Sequence, residues 1–326
     1  MRSHNHAEIG AAANIPATSP GQVLSVSPVI LPSPDRDVNL ELRVTIPSTG
    51  DGPLPIVLLS HGHGPSHHLS SLEGYAPLAE FLASQGFAVL QPTHLSSRSL
   101  GIAMTGDNIR HLFLESRAAD MTQILNRLDE IEASLPVLGR GRLDRSKVAV
   151  VGHSLGGLTA SLLLGATNAD PRDGVTTNLV DERITAGVLL GAPGTGGEAL
   201  SKTGAERLPF HNVDFSDMRT PALVVWGEND GSEMLTTRGA EWHEEPYALS
   251  PGPKVSFMVK GAKHGFGGIS GWDAAECADE SPERLAAVSR MVAAYLKTRL
   301  VDGDDTWDRA CAALAENEAL GRVESK

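Results

Sequence analysis

Val150-Val151-Gly152-His153-Ser154-Leu155-Gly156-Gly157 decides how this chain is read. The apolar run Val148–Val151 leads straight into Gly-x-Ser-x-Gly, and a helical stretch, Leu155–Leu164, follows it. A strand that turns directly into a helix must bend sharply at the serine, so that its hydroxyl projects above the sheet. Glycines two residues before and two after remove side chains that would collide in such a bend. The new helix then points its N-terminal amides and the positive end of its dipole at the serine. The segment predicts a buried strand, a strained turn and a nucleophile, Ser154.

Working outward, the same kind of apolar run recurs at Ile56–Leu59, Phe87–Leu90, Val188–Leu190, Ala222–Trp226 and Val255–Val259. Continuous apolar runs mark strands buried on both faces, as in a parallel sheet. Helical stretches separate them: Tyr75–Gln85 ending at Gly86, Leu112–Leu128, and Pro282–Leu300 behind the Ser281 cap. Strand–helix alternation with right-handed crossovers gives an α/β fold with one doubly wound, mostly parallel sheet. Ahead of it, Val23–Val26 and the alternating Leu40–Ile46 predict antiparallel strands. Residues 1–20, rich in Ala, Ser and Pro, are expected to be a flexible arm. Residues 21–300 are expected to form the α/β domain and 301–326 a helical tail. Two long connections, about Thr93–Arg110 and Pro193–Thr220, leave the carboxyl ends of strands, where such sheets bind ligands.

A serine needs a base, and the base needs an orienting acid. In the order Ser, acid, His, the chain supplies Asp230 in Gly227-Glu228-Asn229-Asp230-Gly231 and His264 in Gly261-Ala262-Lys263-His264-Gly265-Phe266. Each follows an apolar run. Glu228 and Glu233 are rivals for the acid. After Ile56–Leu59 comes Ser60-His61-Gly62-His63-Gly64, a Gly-rich turn able to aim backbone amides inward. With Leu155, His63 is the expected donor to an oxyanion. Gly62, Gly64, His153, Phe266 and Trp272 are expected beside the substrate.

These motifs resemble the α/β-hydrolase superfamily across roughly Val23 to Leu300. Within it, Tyr75-Ala76-Pro77-Leu78-Ala79-Glu80-Phe81-Leu82-Ala83-Ser84-Gln85-Gly86-Phe87-Ala88-Val89-Leu90 is similar to the branch of dienelactone-hydrolase-like proteins, platelet-activating-factor acetylhydrolases, chlorophyllases and cutinase-like polyesterases. The resemblance implies a serine esterase working through an acyl-enzyme, without a large cap domain. The same triad also serves lactones, thioesters, amides and acyl transfer. A noncatalytic binding protein on the same scaffold is the alternative of another class.

The remaining composition narrows the partners. Twenty-seven Lys and Arg against 40 Asp and Glu leave a net charge of −13, which repels nucleic acid and anionic lipid. The basic group Arg140, Arg142, Arg145 and Lys147 is read as a solvated loop. Cys277 and Cys311 are expected as free thiols. His61, His63, His67, His68 and His94 lie close in sequence but lack carboxylate or Cys companions, so no metal is expected. Gly62-His63-Gly64 is not a dinucleotide fingerprint, and no cofactor is expected. The substrate is expected to be a small acyl ester. No membrane span or secretory leader is read, giving a cytoplasmic expectation.

Overall fold

The computed structural model describes residues 9–106, 108–271 and 274–326. Twelve strands are present among them: β1 (Val23–Leu31), β2 (Leu40–Pro47), β3 (Leu54–Ser60), β4 (Ala88–Pro92), β5 (Leu143–His153), β6 (Thr167–Ala169), β7 (Thr176–Asn178), β8 (Ile184–Leu190), β9 (Val213–Asp214), β10 (Ala222–Gly227), β11 (Lys254–Val259) and β12 (Gly321–Ser325). The helices are α1 (Ala76–Ser84), α2 (Ser116–Asn126), α3 (Leu128–Ser134), α4 (Leu155–Leu163), α5 (Lys202–Arg207), α6 (Glu245–Ala248), α7 (Pro282–Leu300) and α8 (Thr306–Ala315).

Nine strands form one sheet in the order β1-β2-β4-β3-β5-β8-β10-β11-β12, and β7-β6-β9 form a small second one. The run from β4 to β11 is parallel, while β1, β2 and β12 are antiparallel to their neighbours. Strand residues alternate between two cores. Ile56, Leu58, Val148 and Val150 join the side packed by α2, α3 and α4. Val57, Leu59, Ala149 and Val151 join the side packed by α1, α7 and α8. A strand with apolar residues at every position can therefore be satisfied only between two helical layers.

Three segments depart from the sequence-based expectation. From Ile9 onward the expected arm is docked: Gly10–Asn14 form a 3₁₀ turn, and Ala12 and Ile15 are fully buried. Apolar contact with the α7 layer holds them, with Ala11 N–H donating to Glu283 (2.7 Å) and Arg290 to the Ile15 carbonyl (2.6 Å). The tail is not helical throughout, because β12 follows α8 and closes the sheet edge beside β11. The Leu112–Leu128 helix is broken into a wider π-type turn at His111–Glu115, then α2 and α3. Between β8 and β10 the chain carries only α5, a 3₁₀ turn and β9, in keeping with the absence of a large cap.

Candidate active site

Ser154 sits between β5 and α4 with φ 56° and ψ −122°, a strained conformation for a residue with a side chain. The neighbouring glycines explain how the turn is possible. A Cβ on Gly152 would lie 1.9 Å from the Gly156 carbonyl oxygen, and one on Gly156 would lie 2.1 Å from that of Ser60. Ser154 N–H donates to the Leu190 carbonyl (2.8 Å), pinning the turn to the end of β8. The serine remains partly accessible at the carboxyl edge of the sheet.

Asp230 and His264 follow β10 and β11, at the same edge. His264 Nδ1 lies 2.7 Å from Asp230 Oδ2. Asp230 is buried, whereas His264 is half-buried. Burial opposes the charge on Asp230, yet the charge of His264 and hydrogen bonds from His243 and His264 hold its carboxyl far below the usual range. Burial likewise pulls His264 down, but the Asp230 carboxylate outweighs it and holds the imidazole above its ordinary value. The rivals are placed elsewhere. Glu228 pairs with Lys260 and the Gly261 amide, and Glu233 is exposed.

The imidazole of His264 lies against the serine turn through its neighbours. Its ring is 4.8 Å from that of His153, and its carbonyl accepts from His153 Nε2 (2.8 Å). Gly191, next to the Leu190 that holds Ser154, lies close against the Asp–His pair at a φ of +53°. A Cβ there would stand 3.2 Å from His264 Cε1 and Nδ1 and 3.3 Å from Asp230 Oδ2.

His243, which no motif announced, completes the acid's surroundings. It is buried in a short 3₁₀ helix, Ala240–Glu244. Its Nδ1 is 2.8 Å from the Ala192 carbonyl, which can only accept, so that nitrogen carries a hydrogen. Its Nε2 faces Ser232 Oγ at 2.9 Å and Asp230 Oδ2 at 3.4 Å. Ser232 Oγ is also 3.2 Å from Asp230 Oδ1. Two histidines and a hydroxyl thus surround one carboxylate. Asp230, His243 and His264 put three donor atoms within 4.8 Å, a spacing a metal could use, although hydrogen bonds already join them.

On the opposite side lies the turn after β3. The backbone N–H groups of His63 and Leu155 donate to no acceptor among the described residues. Tyr75 holds this turn to the serine turn. Its phenol oxygen accepts from Gly62 N–H (2.9 Å) and donates to His153 Nδ1 (2.7 Å). With His153 Nε2–H given to the His264 carbonyl, both nitrogens of that ring are engaged. Burial, then the nearby His264, lowers the His153 pKa to about 3, so it stays neutral.

Below the turn is a polar group that the sequence did not reveal. Arg117 is fully buried and donates to Thr159, Ser96, Ser60 and the His61 carbonyl. His94 joins Ser60 (3.0 Å) to Asp120 (2.9 Å), and Arg36 binds Asp120 through two nitrogens. His61 Nδ1–H meets the Gly62 carbonyl, and its Nε2 accepts from the His94 amide. Every ring nitrogen of His61 and His94 therefore has a partner, and neither ring is open to a metal.

The expected substrate contacts fare unevenly. His153 is a strut, since its ring atoms are buried and bonded on both sides. Phe266 is fully buried and packs its ring edge-on to His153 at 6.0 Å, beneath the site rather than along it. Gly62 is at the site: a Cβ there would lie 3.3 Å from Ser154 Cβ and 2.9 Å from the Tyr75 oxygen. Gly64 is crowded by Glu276 and Leu69, whose atoms would stand 2.7 and 2.8 Å from a Cβ. Trp272 lies outside the described residues.

A doubly wound sheet, with a serine on a strained strand–helix turn and an Asp–His pair after the last two parallel strands, defines an α/β-hydrolase fold. The chain belongs to the alpha/beta hydrolase family, whose sequence profile matches residues 56–324. Among solved structures it is similar to the monoclinic form of an esterase from Pyrobaculum calidifontis, with a TM-score of 0.53 and 19% identity, covering 88% of this chain and 87% of that one. A structure described as a hyperthermophilic esterase from the same archaeon gives 0.52 and 20%, covering 88% and 85%. At such identity the likeness is one of fold. No described helix is long and apolar enough to cross a membrane.

Proposed function

We propose that this protein is a serine hydrolase that cleaves carboxylic esters through an acyl-enzyme on Ser154. The observation that carries the reading is the 2.7 Å Asp230–His264 contact, with the imidazole 4.8 Å from the ring of His153, the residue before the serine. In this reading Ser154 Oγ forms a bond to the ester carbonyl carbon while His264 Nε2 takes its proton. The carbonyl electrons move onto oxygen, where the unpartnered amides of His63 and Leu155 receive them. The C–O bond then breaks, and His264 returns the proton to the departing alkoxide. Water, deprotonated by His264, attacks the acyl carbon; the bond to Ser154 Oγ breaks, Oγ takes the proton back from His264, and the acid leaves. Asp230 keeps the hydrogen on His264 Nδ1, leaving Nε2 free to act, and His243 and Ser232 hold Asp230. No cofactor is needed for these steps.

The test is hydrolysis of p-nitrophenyl acetate by the purified protein, beside Ser154→Ala. Activity is expected to fall by about 10⁴–10⁶-fold in the variant, as with other serine hydrolases. A fluorophosphonate should add one adduct to the wild type, at Ser154, and none to the variant. Turnover of the variant within tenfold of wild type refutes the role of Ser154. A protein that neither turns over esters nor reacts with the fluorophosphonate is a binding protein on this scaffold.

A further inference from the structure

Beside the turn after β3 there is a hollow of about 280 Å³, lined by His67, Arg98, Gly101, Ile102 and Met104. It is built from the two segments that follow β3 and β4, on the edge of the sheet that carries Ser154. The wall containing Arg98 is fixed. Ser97 Oγ donates to the Ser70 carbonyl (2.6 Å), and the Arg98 amide donates to Ser70 Oγ (3.2 Å). Ser97 also caps the 3₁₀ turn Arg98–Leu100 by accepting from Ser99 N–H. The backbone is therefore tied down while the Arg98 side chain is left exposed, with no carboxylate partner among the described residues. Ile102 and Met104 rest on the apolar core that contains Phe113, and the Phe113 ring packs on His63 at 5.1 Å.

The local charge differs from that of the whole chain. Beneath the turn, Arg36 pairs with Asp120, whereas Arg117 donates only to hydroxyls and the His61 carbonyl, and burial, then the charge of Arg117, holds the His61 and His94 imidazoles well below their ordinary pKa. This buried group carries one net positive charge. Burial, then the charges of Arg117 and Arg98, lowers the His63 pKa to about 4, so both arginines act on this side of the cleft. Glu276, bonded through both carboxylate oxygens to Ser66 beside His67, offsets that charge on the same turn, so the attraction for an anion at the hollow falls to the exposed Arg98 guanidinium itself.

We infer that the hollow is a substrate subsite for a carboxylate, with Arg98 as its cation and Ile102 and Met104 as the wall for the intervening carbons. The preferred substrate class is then an ester that also bears a free carboxylate, such as a hemiester of a dicarboxylic acid or an ester of a hydroxy acid. The inference rests on the esterase reading. A planar guanidinium binds carboxylate through two parallel hydrogen bonds. The volume is just under the usual range for drug-sized ligands, which suits a short chain.

The experiment compares kcat/KM for phenyl hemiglutarate, with carboxylate on the acyl side, and 4-acetoxybenzoate, with carboxylate on the leaving side. The neutral references are phenyl valerate and 4-acetoxybenzamide. Wild type should prefer at least one anionic probe by about 10- to 100-fold, the range for a hydrogen bond to a charged group. In Arg98→Gln that preference should fall to within about threefold of parity, and Arg98→Lys should restore part of it. Salt at 0.5 M should shrink it, as a partly exposed charge pair is screened. Hydrolysis of the neutral esters without an anionic preference, or with a preference that Arg98→Gln leaves intact, overturns the subsite and leaves the esterase reading standing. Failure to hydrolyse any of the four sinks the esterase reading itself.

Discussion

Replacing Tyr75 by phenylalanine removes one oxygen and strands two partners. The Gly62 amide loses its acceptor, and His153 Nδ1 loses its donor. Both are buried, and at full burial in the wild type the phenol is pushed well above its ordinary pKa, so it acts as a neutral hydroxyl throughout the working range. A buried polar group without a partner costs about 1–3 kcal/mol, so the two together cost about 2–6 kcal/mol. That is a large part of the total stability of a folded domain, about 5–15 kcal/mol. For a chain of 326 residues it corresponds to a drop in Tm of roughly 3–9 °C. The catalytic effect follows from where the partners sit. Gly62 precedes the His63 amide proposed to bind the oxyanion, and His153 precedes Ser154. Outright loss of an oxyanion donor costs about 10²–10³ in kcat, so a donor that is loosened rather than deleted should cost about 10–100-fold. The loss should fall on kcat with KM little changed, because the oxyanion exists only in the transition state. Urea unfolding and p-nitrophenyl acetate kinetics measure the two effects. A Tyr75→Phe protein with wild-type midpoint and wild-type kcat would refute the claim that this phenol joins the two turns.

Other outcomes follow from the same geometry. In Asp230→Asn, kcat should fall by about 10²–10⁴-fold, and the acid limb of kcat/KM should move to lower pH, because Asp230 holds the His264 pKa up. The sign of the stability change is fixed too. Protonated His264 stabilises the fold below about pH 6.5 and loses that contribution as pH rises through its raised folded pKa. Ionised Asp230, with its depressed pKa, stabilises above about pH 3.9 and loses that contribution on acidification. The difference between wild type and Asp230→Asn in urea midpoints should therefore be widest near pH 5 and narrower at pH 9. A constant difference across that span contradicts the coupling. In Gly191→Ala, the added methyl meets the His264 ring at 3.2 Å at a position with φ +53°, so activity should fall about 10-fold or more. A fully active Gly191→Ala would show that this approach is unimportant. His243→Ala should lower kcat by about 10-fold by freeing Asp230, which the conservative His243→Gln should partly rescue. Equal rates for all three proteins would show that His243 does not support the acid.

The parallel sheet was legible because burial on both faces imposes uninterrupted apolar runs, and each of the six runs became or overlapped a strand of the large sheet. The glycines around Ser154 were legible for a related reason: backbone crowding at Gly152 and Gly156 leaves no substitute. Asp230 and His264 could be picked out because they stand one short turn beyond strands. Tyr75 could not. It reads as the first residue of a helix, and its partner is 78 residues away. His243 lies in a five-residue 3₁₀ helix with no motif, and only the folded chain brings it to Asp230. Arg117 was hidden within a helical stretch judged by its apolar residues, since helical spacing says nothing of a polar cavity waiting for a guanidinium. β12 reads Gly-Arg-Val-Glu-Ser, without strand patterning, because an edge strand needs backbone pairing more than apolar side chains. Ala12 and Ile15 give too little apolar signal to announce docking, which the surface of α7 decides.

The inlay of Ser60, His61, His94, Arg117 and Asp120 has a consequence for anyone engineering this scaffold. Hydrocarbon of the same shape in its place would, by analogy with other buried ion clusters, melt at a higher temperature. Such a thermostable redesign would leave the Gly62-His63 turn unanchored and the cleft without its positive side. Heat resistance gained in that layer would be traded directly for turnover, whereas the outer faces of α7 and α8 can be reworked without touching it.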